Sequence, residues 1–173
     1  MTFKKNLFAA GVFIAFSAIN FVASAATLRV GNQGDALSLD PHSLNEALQL
    51  SVVGNVYEGL LFRDRNYKLE PALATDWKQT SPTVWRFNLR KNVQFHDGTP
   101  FTADDVIFSY ERTKGDGSDL KSYVGQIKEI IKINDHAVDF VLTAPFPILP
   151  ERLYSWMIMS KKWCETNGAT KPV

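Results

Sequence analysis

The spacing of apolar residues changes period several times along the chain, and each change marks an element. From about Asn45 to Leu61, Leu48, Val52, Val56 and Leu60 recur every four positions with Ala47 and Tyr57 beside them, which predicts one helix. The period then falls to two: Trp85, Phe87 and Leu89 alternate with Arg86, Asn88 and Arg90, as in a strand with one buried and one wet face. Val93 and Phe95 extend that alternation. A second two-residue period links Val138, Phe140 and Leu142. It follows the run Ile130-Ile131-Lys132-Ile133, and Asn134-Asp135 between them predicts an antiparallel hairpin.

Turn and cap residues bound these elements. Leu28-Arg29-Val30 predicts a short strand ahead of the turn-rich Gly31-Asn32-Gln33-Gly34-Asp35. Leu39-Asp40-Pro41 is irregular, because proline pushes its predecessor out of helical geometry. Tyr67 to Pro71 leads into a predicted helical turn, Ala72-Leu73-Ala74. Asp97-Gly98-Thr99-Pro100 is a turn signal, and Thr102 then caps a helix with Asp105 three residues on, close to a capping box. That helix runs through Val106 to Arg112, its acids early and its arginine late, in line with the helix dipole. Gly115-Asp116-Gly117-Ser118 ends it. Strands and helices follow one another without regular βα alternation, which indicates an α+β layer.

The first residues carry a different pattern. Lys4 and Lys5 precede an apolar stretch from Leu7 to Val22, and Ala23-Ser24-Ala25 supplies small residues where a signal peptidase cuts, so residues 1–25 are read as a secretory signal. A membrane anchor is the competing reading. Ser17 and Asn20 interrupt the run, which falls short of roughly 20 apolar residues. No cysteine stands at the cleavage site, so no lipid anchor is expected and the mature chain would be free in the periplasm. Of 19 basic residues only Lys4 and Lys5 lie in this segment, and no acid does, which leaves 17 against 18 acids and a net charge of −1. That balance argues against nucleic acid or an anionic membrane as partner. An aromatic content of 12% is enough for a packed core and excludes a disordered chain. Cys164 is the single cysteine, so no intrachain disulfide forms, and nothing near it in sequence resembles a paired base.

The segment from Trp85 through His96-Asp97-Gly98-Thr99-Pro100 to Val106 resembles the signature of the extracytoplasmic dipeptide, oligopeptide and nickel-binding proteins of ABC importers (family 5). Ser38-Leu39-Asp40-Pro41-His42, Tyr57-Glu58-Gly59-Leu60-Leu61, Leu69-Glu70-Pro71-Ala72-Leu73-Ala74 with Trp77, and the hairpin ending Val141-Leu142-Thr143-Ala144-Pro145 resemble the same family in the same order. The resemblance implies a mixed α+β, α/β architecture: a two-lobed, periplasmic-binding-protein-like (type II) fold with an extra domain, of which the N-terminal part is present. On that basis residues 26–53 begin lobe one, 54–160 form the extra domain and 161–173 return to lobe one. No closing element follows Glu165-Thr166-Asn167-Gly168, so the second lobe is expected beyond Val173. Residues 26–173 alone should then bind ligand weakly and expose apolar surface.

The resemblance also implies a function: capture of a short peptide by a monomeric periplasmic protein, without a cofactor, and its delivery to the membrane subunits of an ABC permease. In relatives the stretch after the Leu-Asp-Pro-His motif lines the cleft through backbone groups, which places Leu44, Asn45, Glu46 and Ala47 at the ligand. Such strand-like pairing suits broad specificity, because every peptide offers the same main-chain groups. Glu46 has a simpler reading as a solvated helix-end charge. An aromatic contact of relatives aligns at Leu120, with Tyr123 three residues on as the substitute. The Trp85–Val106 signature itself has a structural explanation in strand, turn and cap.

No catalytic constellation is evident. There is no nucleophile elbow or phosphate loop, and Gly31-x-x-Gly34 is too short for a dinucleotide fingerprint. His42, His96 and His136 are widely separated and are read as turn or surface residues, not metal ligands. Asp104-Asp105 is explained by the helix start. Two alternatives remain: a nickel or metal-chelate carrier of the same family, and, from another class, a secreted peptide hydrolase.

Overall fold

A computed structural model describes residues 27–173, so the predicted signal segment lies outside the described residues. The chain divides into two units, Met1–Asn32 and Gln33–Val173. In the first, the described residues form no regular secondary structure, and Leu28 and Val30 are exposed. The strand predicted at Leu28-Arg29-Val30 is therefore not formed. A strand is held by ladder hydrogen bonds to a neighbour, and no ladder among the described residues includes these three.

The second unit begins with α1 (Ala47–Val53), β1 (Leu61–Arg63), β2 (Leu69–Pro71), β3 (Ala74–Ser81) and β4 (Val84–Leu89). It continues through α2 (Ala103–Lys114), α3 (Lys121–Val124), β5 (Ile127–Asn134), β6 (Ala137–Leu142), α4 (Leu149–Leu153) and α5 (Lys161–Thr166). β1 and β2 pair antiparallel, and the other strands form an antiparallel sheet in the order β3-β4-β6-β5.

The helix predicted over 45–61 is shorter than its apolar period. It spans only α1, its buried residues are Gln49 and Val53, and Val56 is 52% exposed. A close backbone approach overrides the pattern beyond Gly54. Gly59 bridges Met157, and a Cβ there would stand 3.0 Å from the Trp156 carbonyl oxygen and 3.2 Å from that of Tyr154. Only glycine lets the two chains come so close, and pairing replaces helix. The helical turn predicted at Ala72-Leu73-Ala74 is likewise absent. These residues donate their N–H groups to the carbonyls of Leu60, Gly59 and Leu60 at 3.2, 3.1 and 2.9 Å, a strand-like use of the backbone. Ala74 then opens β3.

The two-residue periods fare better. β4 lies in the middle of the sheet with Phe87 and Leu89 buried and Arg86 on the opposite face, paired through two 2.7 Å bonds with Asp139 of β6. Val93 and Phe95 do not prolong it. The chain turns at Asn92 (φ 59°), and Gln94 pairs with Pro100 around the turn at Gly98 (φ 79°), while both apolar side chains still pack on the core. The β5–β6 hairpin forms as predicted and is longer, with Ile127 and Ile130 inward and Ile131 and Ile133 each 44% exposed.

α2 covers the inner face of this sheet. The capping box is complete: the Thr102 hydroxyl accepts the Asp104 N–H (3.3 Å), and Asp105 accepts the Thr102 N–H (2.8 Å). Val106 and Tyr110 sit in the core, and the Tyr110 hydroxyl donates to the Ile127 carbonyl at 2.7 Å. Phe140 lies 4.8 Å from Phe87 and edge-on to Trp156 at 6.4 Å, ring centre to ring centre. Each such buried apolar side chain contributes about 1.5–3 kcal/mol, so the aromatic cluster dominates the local energetics.

Candidate functional site

The other side of α2 is polar and equally buried. Asp105, Ser109 and Arg112 follow the i, i+4, i+7 spacing that aligns side chains along a helix, with Thr113 beside them. Each takes a group from residues 156–171. The Thr113 hydroxyl accepts the Trp156 indole N–H (2.9 Å), Ser109 accepts the Met159 N–H (3.0 Å), and Asp105 accepts the Lys161 N–H (2.9 Å). Burial pushes the Asp105 carboxyl above its usual range despite these bonds. Arg112 donates through Nε to the Ala169 carbonyl (3.0 Å) and through Nη2 to that of Lys171 (2.9 Å).

Arg112 also gathers the motif that begins at Ser38. Its side chain is 1% exposed and forks onto Asp40, Nη1 to Oδ1 at 2.8 Å and Nη2 to Oδ2 at 2.5 Å. Nη1 stands 3.1 Å from His42 Nδ1. A guanidinium only donates, so Nδ1 accepts, the imidazole is neutral, and Nε2–H donates to the Met157 carbonyl at 2.8 Å. Burial, reinforced by the Arg112 charge, lowers the His42 pKa to about 4. For Asp40, burial works to raise the pKa. The Arg112 fork and the N–H groups of His42 and Val173 outweigh it and hold the carboxyl below its ordinary value. His42 is thus a fully buried member of this cluster, not the turn or surface histidine expected from sequence.

Residues 38–49 are tied to the cluster at both ends. Gln49 is fully buried; its Oε1 accepts the Ser38 N–H (3.0 Å) and its Nε2 donates to the Asp40 carbonyl (3.2 Å). Between these anchors the chain emerges. Asn45, Glu46 and Ala47 are exposed and Leu44 is half-buried. Glu46 has extended backbone (φ −132°, ψ 134°), and its carboxylate caps α1 by accepting the N–H groups of Leu48 (3.2 Å) and Gln49 (3.0 Å). The Tyr123 hydroxyl donates to Asn45 Oδ1 at 3.2 Å, so two of the predicted contact residues meet although 78 positions apart. Leu120 does not join them at the surface. It is fully buried at the start of α3, and its N–H donates to the Ser118 hydroxyl.

A concavity of about 340 Å³ opens elsewhere, walled by Leu73, Phe95, Phe101 and Trp163 with Glu58 and His96 at its rim; none of the six predicted contact residues lines it. Cys164 is buried and its thiol is pushed up to about 11, the reverse of an activated nucleophile. Among the described residues, no group of three or more His, Cys, Asp and Glu side chains is placed to hold a metal ion.

Asp40, His42, Gln49 and Arg112 were not singled out as partners by sequence reasoning. A signal existed in the helical spacing of Asp105, Ser109 and Arg112, a polar stripe within an amphipathic helix. Such a stripe ordinarily marks the solvated face, and only the return of residues 156–173 across it makes it interior.

Known proteins bear on this arrangement. Residues 68–173 match the family described as bacterial extracellular solute-binding proteins, family 5 Middle. The periplasmic oligopeptide-binding protein OppA of Escherichia coli is 31% identical over 175 residues, covering 83% of this chain and 32% of its own length. Among solved structures, the ABC transporter-associated periplasmic binding protein DppA of Helicobacter pylori, in complex with the peptide STSA, is 28% identical with a TM-score of 0.67 over 79% of this chain and 32% of that one. NikZ of Campylobacter jejuni, in complex with Ni(L-His), is 29% identical with a TM-score of 0.68 over 76% of this chain and 27% of that one. The mixed α and β chain thus covers part of a type II periplasmic-binding-protein fold and spans about a third of the length of its relatives. On the strength of a match across more than half of its residues, the chain belongs to the bacterial extracellular solute-binding proteins, family 5.

Proposed function

We propose that this chain supplies one side of the ligand cleft of a periplasmic solute-binding protein that captures short peptides for an ABC importer. The observation that carries this reading is the exposed, partly extended Leu44–Ala47 stretch, anchored at both ends by buried polar groups and flanked by the Tyr123 hydroxyl. A peptide laid along it would find main-chain groups held in place, so little ordering cost would accompany binding. Peptide-binding relatives in the same family support the ligand class. Residues 1–25 act as an export signal, residues 26–53 and 161–173 belong to lobe one, and residues 54–160 form the additional domain. The mature protein is a monomer without a lipid anchor, and it delivers its ligand to a permease after the lobes close around it.

Equilibrium binding of the protein carrying both lobes to a panel of dipeptides and longer peptides tests the ligand class. Saturable binding without turnover is expected, and silence across the panel would sink the claim. A nickel or metal-chelate carrier is the second reading, favoured by the likeness to NikZ. Titration with nickel and nickel–histidine separates the two, because a carrier of that kind binds these and ignores peptides.

A further inference from the structure

Arg112 stands apart from the rest of α2 in how fully it is used. Nε meets Ala169 O, Nη1 meets Asp40 Oδ1 and His42 Nδ1, and Nη2 meets Asp40 Oδ2 and Lys171 O. A guanidinium has five N–H donors in a fixed planar fork, and these five acceptors engage all of them. The acceptors come from two segments remote in sequence, 40–42 and 169–171, and the His42 ring passes the connection on to the Met157 carbonyl. Asp40 in turn receives the N–H of Val173 at 3.0 Å.

We infer that Arg112 is the positioning residue for the ligand-facing segment: its buried fork fixes Ser38–Gln49 against α2 and against residues 169–173, so that Leu44–Ala47 is presented in one conformation. This rests on the proposal that Leu44–Ala47 meets the ligand. Three observations set positioning above general support of the fold. The bonds of Arg112 run to residues 40–42 and 169–171 and none of these is in a strand, so the sheet, packed around Phe87, Phe140 and Trp156, has its own source of stability. The anchors at His42 and Gln49 bracket the exposed stretch, with Gln49 reading the same Asp40 whose carboxylate Arg112 holds. The Asn45–Tyr123 bond links the stretch to α3, which packs on α2, so one helix sets both halves of the candidate contact surface.

The fork also predicts that lysine is a poor substitute. An ammonium has three donors and no plane, and it cannot serve the carboxylate, the imidazole and two carbonyls together. Two variants test the inference in the protein carrying both lobes: Arg112→Lys, and the charge-free double variant Asp40→Leu with Arg112→Met. The double variant guards against the gravest source of misfolding, because it leaves no unpaired charge in the interior, whereas loss of one member of a buried ion pair does.

Amide hydrogen exchange without ligand is measured first. Residues 44–53 should exchange at least about tenfold faster in both variants while β4, β5 and β6 keep wild-type rates, the mark of a local and not a global opening. Equal acceleration in segment and sheet, or none in the segment, would overturn the inference. Peptide affinity is measured second and should fall about tenfold or more in each variant, the loss expected when a binding segment must be ordered afresh. Wild-type affinity in the double variant would overturn the role at the ligand. If wild-type protein binds no peptide, the functional reading fails on its own, and the exchange data still decide what Arg112 does.

Discussion

The two sides of α2 are held by different physics. Toward the sheet, Val106 and Tyr110 meet Phe87, Phe140 and Trp156, and the gain comes from apolar area removed from water. Toward residues 156–173, Asp105, Ser109, Arg112 and Thr113 form directional bonds to named atoms. Apolar burial tolerates a change of shape that conserves volume. A buried polar cluster works only when every member is present, since an orphaned charge costs more than the pair contributes. The first side therefore builds a generic layer, while the second fixes where the Ser38–Gln49 segment stands.

The largest expected effects set the two sides directly against each other. Phe140→Ala should cost about 3–5 kcal/mol in a denaturant titration, through lost transfer energy and the cavity left behind. Arg112→Met should cost a similar ~3–5 kcal/mol by stranding the buried Asp40 carboxylate. Adding Asp40→Leu should recover the part of the second loss that comes from the stranded charge and none of the first, because the carbonyls of Ala169 and Lys171 and the N–H groups of His42 and Val173 stay without their partners. Failure of that rescue would mean that the polar side acts through its hydrogen bonds to neutral groups more than through charge.

Acid should open the polar side before the apolar one. The folded pKa of His42, about 4, lies below its ordinary 6.5, so the unfolded chain takes up the proton first. Stability is then full above about 6.5 and declines as pH falls toward 4, by roughly 3 kcal/mol over that window. The lowered pKa of Asp40 acts in the same sense at still lower pH, below its ordinary 3.8. Urea midpoints from pH 7.5 to 4 should show this slope, and His42→Gln should flatten it. An unchanged slope in that variant would assign the acid sensitivity to other groups.

A smaller effect concerns the contact between Gly59 and the Tyr154–Trp156 backbone. Gly59→Ala should cost about 1–3 kcal/mol by overpacking against fixed carbonyls, and the loss should appear in thermal melts. The smallest belongs to the outer face of the sheet. Arg86→Ala or Asp139→Ala should cost less than about 1 kcal/mol, and their coupling in a double-mutant cycle should shrink in high salt, as expected for a pair still partly in water.

Legibility from sequence divides along the same line. The alternation in β4 and β6, the hairpin between β5 and β6, and the Thr102–Asp105 capping box were all readable, because each depends on neighbours close in sequence or on one buried face. The helix over 45–61 was misjudged because Gly59 answers to Met157, nearly a hundred positions away, and not to its own local period. Asn45 and Tyr123 were named as ligand contacts separately, and the structure joins them; Leu120, aligned with an aromatic of relatives, proved to be interior. His42 looked like a surface residue for want of any sign that Arg112 would reach it.

Local chemistry, period, turn residues and cap, was enough to define most of the sheet, the start and end of α2, and the family to which the chain belongs. Folding alone decided which polar residues became interior. A stripe such as Asp105, Ser109 and Arg112 is solvated or buried according to what packs over it, and the covering strand of chain comes from more than forty residues downstream. Hydrogen-bond partners at that separation leave no periodic trace, because their pairing is set by the path of the backbone in space and not by the order of residues along it.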